Sequence, residues 1–146
     1  DLGDLREIKY LKIENCKSFE SFGNLEQAYW IKIFDCSNLQ TLGNLREIEY
    51  YLEIENCPNL ANLGNLKTIG WDLNLINCPE LQSLGNLTNI KKNLLITDCP
   101  NLKSLGNLKE VGGSIILKKT GITEEYIRKE KLELLDKCKL ELKDEN

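Results

Sequence analysis

The chain has 146 residues, 41% hydrophobic and 29% charged, with a formal net charge of −4 and no His. That length and balance suit one globular domain, and the acidic excess argues against general nucleic-acid binding. Without His the commonest general base and metal ligand is gone, and with it most hydrolase triads and catalytic zinc sites. No apolar run approaches the roughly 20 residues of a membrane span, so none is expected. No Met occurs either, so the N-terminus is read as processed, trimmed or incomplete. The missing signal segment is then silent about compartment, and cytoplasmic and bacterial cell-surface or secreted settings both stay open.

A repeat organises the chain from its second residue onward. Leu or Phe followed by Gly recurs at Leu2-Gly3, Phe22-Gly23, Leu42-Gly43, Leu63-Gly64, Leu84-Gly85 and Leu105-Gly106, at intervals of 20, 20, 21, 21 and 21. Asn or Asp and then Leu follow each time, from Asp4-Leu5 to Asn107-Leu108. Each repeat then carries an alternating apolar pair, the mark of a half-buried strand: Leu11/Ile13, Ile31/Ile33, Leu52/Ile54, Leu73/Leu75, Leu94/Ile96 and Ile115/Leu117. Three residues beyond each pair comes Cys16, Cys36, Cys57, Cys78 or Cys99, with Thr120 in the last repeat. Pro58, Pro79 and Pro100 follow three of these Cys and end the strand, since Pro donates no ladder hydrogen bond. Apolar residues return at Phe19, Leu39, Leu60, Leu81 and Leu102, and the column Ile8, Ala28, Ile48, Ile69, Ile90, Val111 completes an interior.

One coil of about 20 residues cannot bury these side chains alone, whereas stacked coils with parallel strands about 4.8 Å apart can. The expected fold is a repeat solenoid with one parallel sheet of about six strands. Turns, a short 3₁₀ segment or a narrow strand should make up the return side. Each repeat Gly is expected at positive φ in a corner, with the next Asn bonding local backbone. From the third coil the column before the strand pair precedes it by four residues instead of three (Ile48 to Leu52, against Ala28 to Ile31). A small bulge or change of curvature is expected there.

The phrase L-x-L-x-x-C-x-x-L-x-x-L, as in Leu73 to Leu84, resembles the leucine-rich repeat with Cys in place of its Asn. The match covers about residues 2 to 120. The phrasing is also similar to the L-domain repeats of receptor ectodomains and to repeats of bacterial surface proteins. The resemblance implies a right-handed solenoid that binds ligands, usually proteins, on its parallel sheet. It implies no catalytic activity.

Residues 1–120 are therefore read as the solenoid and residues 121–146 as a C-terminal cap, partly helical, with a charged tail. Thr123-Glu124-Glu125 is a helix start, with the helix running to about Lys137 and an apolar stripe of Ile127, Leu132, Leu135 and Cys138. Residues 118–146 hold eight Lys/Arg and eight Asp/Glu, most simply a solvated surface. The N-terminus opens directly in a repeat without a cap. Missing coils or another chain would cover it, and end-to-end self-association there is one expectation.

Five Cys at 20- or 21-residue spacing form a ladder of small buried groups more readily than a ligand set. A disulfide chain would leave one of five unpaired, and no C-x₂-C pair or His supports a metal. No metal and no cofactor are expected. The column Asn15, Asp35, Asn56, Asn77, Asp98 is read as capping backbone where each strand ends. Asn86-Leu87-Thr88 matches the glycosylation pattern but is discounted as chance in an Asn-rich frame.

The framework columns barely change, so the variable outward positions are where function is sought. Both Trp and four of the five Tyr sit at strand starts in the first four coils: Tyr10, Tyr29, Trp30, Tyr50, Tyr51 and Trp71. Phe34 shares the face of Trp30, and Lys32 and Glu53 lie beside the rings. These nine residues are the candidate ligand-binding set, because Tyr and Trp dominate interface hot spots and exposed apolar patches mark contact surfaces. By strand parity Tyr10, Trp30, Phe34 and Tyr51 point outward. Tyr29, Tyr50 and Trp71 share parity with the inward residues, so plugging of the core rim competes with binding. Carboxylates such as Glu53 and Glu55 alternate on a flat sheet with no pocket implied, and no enzyme is expected. The expected function is recognition of a protein partner through the sheet face. A glycan stacked on the same rings, as in a surface adhesin, and a structural, self-associating segment are the alternatives.

Overall fold

The computed structural model describes residues 1–135 and 139–143. It is a parallel β-solenoid of about six turns. The first three coils contribute long strands, β1 (Glu7–Glu14), β2 (Gln27–Phe34) and β3 (Glu47–Glu55). From the fourth coil each strand divides into a two-residue piece and a longer one: β4 (Thr68–Ile69) and β5 (Leu73–Ile76), β6 (Asn89–Ile90) and β7 (Leu94–Cys99), β8 (Glu110–Val111) and β9 (Ser114–Thr120). A further strand, β10 (Lys139–Lys143), follows the helices. β1, β2, β3, β5, β7, β9 and β10 pair in that order as a main arm, and β4, β6 and β8 continue the start of β3 as a short arm.

The columns read from the repeat are columns in space. Leu52 lies in register between Ile31 and Leu73, and Ile54 between Ile33 and Leu75. All six of these side chains are fully buried. Leu25, Leu45, Leu66, Leu87 and Leu108 and the return residues Leu39, Leu60, Leu81 and Leu102 close the same core. The return side is turn and irregular chain, with one isolated parallel bridge between Ser83 and Ser104.

Two corners per coil use left-handed backbone. The repeat glycines lie at φ of 57 to 60°, where a side chain is strained and Gly is not. From Gly23 onward the Asn following each bonds the neighbouring coil rather than its own turn. The Asn65 N–H donates to Gly43 O at 3.0 Å, and the Asn44 side chain to Gly23 O at 3.5 Å. The second corner is the Asn/Asp column before the Cys, with φ of 51 to 57° from Asn15 to Asp98. Asn and Asp tolerate that region best among residues with a Cβ. Their side chains also bridge coils, Asn77 Nδ2 donating to Asn56 Oδ1 at 2.8 Å and Asn56 Nδ2 to Asp35 Oδ1 at 3.0 Å.

The C-terminal section departs from its expected form. Thr123 caps α1 (Glu124–Glu130), its hydroxyl accepting from the Tyr126 N–H at 3.1 Å. The helix stops there instead of reaching Lys137, and a second short helix, α2 (Leu132–Leu135), follows Lys131. The apolar stripe is also different. Ile127 and Leu134 are buried, but Leu132 is 58% exposed, because the break at Lys131 turns the next residue outward. Lys131 itself is buried, its ammonium donating to Gly106 O at 2.6 Å and Leu108 O at 3.0 Å. Lys137, Cys138 and the side chain of Leu135 lie outside the described residues. β10 then adds a seventh main-arm strand where six were expected, with Leu140 in register with Ile115 and Leu142 with Leu117.

Candidate functional site

A corner between two inward positions sets the geometry of the outer face. In β2, Ala28 and Ile31 both point inward, so Tyr29 and Trp30 between them both face out. In the third coil three residues, Glu49, Tyr50 and Tyr51, span the same gap from Ile48 to Leu52. The register between β2 and β3 shifts between Ala28 and Trp30 to absorb the extra residue. This is the bulge expected from the change of repeat length, since a bulge sets two residues against one. Period-two parity does not survive such a corner. Tyr29, Tyr50 and Trp71 are accordingly exposed, at 37%, 52% and 48%, rather than plugging the rim.

Two rows of rings result. Tyr10, Trp30 and Tyr51 are register partners on β1, β2 and β3. Tyr10 stacks on Trp30 with centroids 4.2 Å apart and planes at 14°, and Trp30 on Tyr51 at 6.0 Å and 28°. Tyr10 is 67% exposed at the end of the row, while Trp30 and Tyr51 are half-buried against their neighbours. In the second row Tyr29 meets Tyr50 edge-on at 6.0 Å. Phe34 lies on the same face at the far end of β2, between Glu14 and Glu55 in register, outside the stack.

Polar groups hold the first row. The Lys32 ammonium sits 4.9 Å from the Trp30 ring centre and 5.6 Å from that of Tyr51, and 3.6 Å from the Glu53 carboxylate. The Tyr51 hydroxyl donates to Glu53 at 2.7 Å and accepts from the Asn74 amide at 3.1 Å. Burial first, then the bond to Glu53, pushes the Tyr51 phenol well above its ordinary pKa, so it stays a neutral donor. Trp30, Lys32, Tyr50, Tyr51, Trp71 and Asp72 line a shallow open cleft of about 570 Å³. A second hollow, of about 940 Å³, lies toward the short arm among Glu47, Glu49, Lys91 and Lys92, and shares Tyr50 and Trp71 with the first. Those two exposed rings line both hollows.

The outward strand columns and the corner before them place more residues on this face than the aromatic set. Asn74 completes the Tyr51 network, and Lys92 lies 4.9 Å from the Trp71 ring centre. Leu95 and Ile116, register partners on β7 and β9, carry the outer face on as half-buried aliphatic side chains. Their signal was their place in an outward column. Aromatic content alone passes over it.

The repeated thiols lie on the other side of the sheet. Cys36, Cys57, Cys78 and Cys99 are buried and free, and Cys16 is half-buried and free. Each buried thiol donates to the carbonyl two residues before it, as Cys57 does to Glu55 O at 3.6 Å. Burial raises the Cys57 pKa from 9.0 to about 11, and the Cys36 thiol also goes up. Among the described residues no group of three or more Cys, Asp or Glu is placed to hold a metal ion, and no helix is long and apolar enough to cross a membrane. Comparison with family models, with curated proteins and with solved structures finds no match to this chain.

Proposed function

We propose that the chain is a non-enzymatic binding module of the leucine-rich-repeat type, which recognises a protein partner through the outer face of its parallel sheet. The observation that carries this reading is the stacked row Tyr10–Trp30–Tyr51 flanked by the exposed rings of Tyr29, Tyr50 and Trp71. So many rings outside a core expose apolar area that a partner would cover. The stack, Lys32 and Glu53 fix the rings in advance, which lowers the ordering entropy of association. The repeat phrasing and the near-invariance of the inward columns support the family reading. The repeated Cys are then a ladder of small interior groups.

Trp71→Ala separates recognition from packing, because the ring is exposed and, among the described residues, stacks on no other ring. In affinity capture from a native extract, followed by titration of the retained protein, the substitution should weaken binding at least about tenfold, while loss of the Lys92 contact lowers the melting temperature by no more than about 4 °C. Equal binding by the variant and the parent chain would remove the cleft from the interface.

The exposed faces of Tyr50 and Trp71 beside the Asp72 carboxylate also suit a sugar ring, stacked on one side and hydrogen-bonded on the other. A glycan array bound by the parent chain and lost on Trp71→Ala would favour that ligand. A blank array alongside specific protein capture favours the first.

A further inference from the structure

Tyr29, Tyr50 and Trp71 form one column of rings, and the column is not continuous. Each ring stands two residues before an inward residue, Ile31, Leu52 or Leu73, and these three are register partners on β2, β3 and β5. Tyr29 meets Tyr50 at 6.0 Å, whereas among the described residues Trp71 meets neither ring. The open cleft of about 570 Å³ is lined by Tyr50 and Trp71 together, with Asp72 beside them.

This face already sets cations on its rings. The Lys32 ammonium lies 4.9 Å from the centre of the Trp30 ring, and the Lys92 ammonium 4.9 Å from that of Trp71. A ring face attracts a cation through its quadrupole, and guanidinium groups are found there more often than ammonium groups. Among the described residues no Lys or Arg lies over Tyr50.

The charges around the cleft favour one more cation. Lys32 is answered by Glu53 at 3.6 Å. Asp72 is held in place through its Oδ1, which accepts from the Asn93 N–H at 2.9 Å, and among the described residues its Oδ2 meets no donor. Across the cleft and the adjoining hollow that shares both rings, Asp72, Glu47, Glu49 and Glu110 outnumber Lys91 and Lys92.

We propose that the group a protein partner places in this cleft is an arginine side chain, its guanidinium stacked on Tyr50 and Trp71 and its N–H groups donating to the Asp72 carboxylate. This rests on the outer face being the recognition surface and names the chemistry that enters it. A guanidinium is planar and weakly hydrated, so it covers a ring face while its edge donates to a carboxylate. An ammonium is compact and strongly hydrated, and gives up more solvation for the same contact. A sugar is neutral, so the carboxylate excess does not select it. Lys92 opposes the incoming cation, because its ammonium shares the Trp71 ring.

Calorimetric titration of the 146-residue chain with the capped peptide acetyl-Gly-Arg-Gly-amide tests it, beside the lysine peptide and the citrulline peptide, the neutral isostere. One arginine side chain should bind with a Kd of about 0.1–10 mM, and the lysine and citrulline peptides at least about fivefold more weakly. Binding should weaken between about 0.05 M and about 0.5 M salt. Asp72→Asn keeps an acceptor for the Asn93 N–H and should weaken the arginine peptide about fivefold, since it removes the charge from the bond. Lys92→Gln should tighten it about twofold or more, since it removes a like charge. Matched melting curves establish that both variants fold. No saturation below about 50 mM, a citrulline peptide bound as well as the arginine peptide, or an Asp72→Asn variant that binds like the parent would each overturn the proposal. A captured protein that depends on Trp71 but is not displaced by the arginine peptide would also overturn it, and would leave recognition through this face intact.

Discussion

Trp30→Ala tests whether the aromatic row is an integral part of the sheet. The ring sits between Tyr10 at 4.2 Å and Tyr51 at 6.0 Å, with the Lys32 ammonium 4.9 Å from its centre. Aromatic pairs contribute about 0.5–1.5 kcal/mol each. A cation–π contact at a partly exposed site adds about 0.5–1 kcal/mol. Lost together, these contacts destabilise the fold by about 1.5–4 kcal/mol. That is less than the upper end of the roughly 2–5 kcal/mol lost when a sealed core residue such as Ile54 becomes Ala. For a chain of this size it corresponds to a fall in melting temperature of about 3–16 °C. Thermal and urea unfolding followed by far-UV circular dichroism measure it, and Trp30→Phe, which keeps a ring in the row, should recover more than half of the loss. A shift below about 1 °C for Trp30→Ala would refute the reasoning, and so would a Phe variant as unstable as the Ala variant.

Two further outcomes follow from backbone and thiol geometry. Gly43 and Gly64 have the same left-handed φ, 58 and 60°, but a Cβ on Gly43 would meet open space while one on Gly64 would lie 2.5 Å from Gly43 O. Gly43→Ala should therefore cost about 1 kcal/mol, the conformational penalty alone, and Gly64→Ala about 1–3 kcal/mol more. Equal losses in urea melts would mean that the coils do not meet closely at that corner. Stability should also fall on the alkaline side. The Cys57 thiol, raised by burial to about 11 from 9.0, binds its proton more tightly folded than unfolded. Its contribution is complete below pH 9 and is lost as pH rises toward 11, and the raised Cys36 thiol and Tyr51 phenol act in the same direction. Urea midpoints measured from pH 8 to about 11 should decline, less steeply in Cys57→Ala once its own lower starting stability is subtracted. A flat profile would mean that the thiol is not sealed.

The coils, their number and their inward columns were legible in the linear chain, because the constraint behind them is local and recurs. A side chain that must meet its own equivalent one coil away has to return every 20 or 21 residues, and the positive-φ corners call for Gly at one place and Asn or Asp at the other in turn after turn. The bulge near Tyr29 was legible for the same reason, since one extra residue per repeat has to be accommodated somewhere. Parity misplaced Tyr29, Tyr50 and Trp71, because alternation holds only while a strand runs straight and these residues sit on a corner. The Lys131 break and β10 were not legible either. No second copy of that segment exists in the chain to compare it with, and Lys139–Lys143 becomes a strand because the open edge of β9 supplies its hydrogen bonds. Periodicity carries contacts that repeat. Contacts made once, such as the Lys131 ammonium on the Gly106 and Leu108 carbonyls, depend on which atoms happen to meet in space.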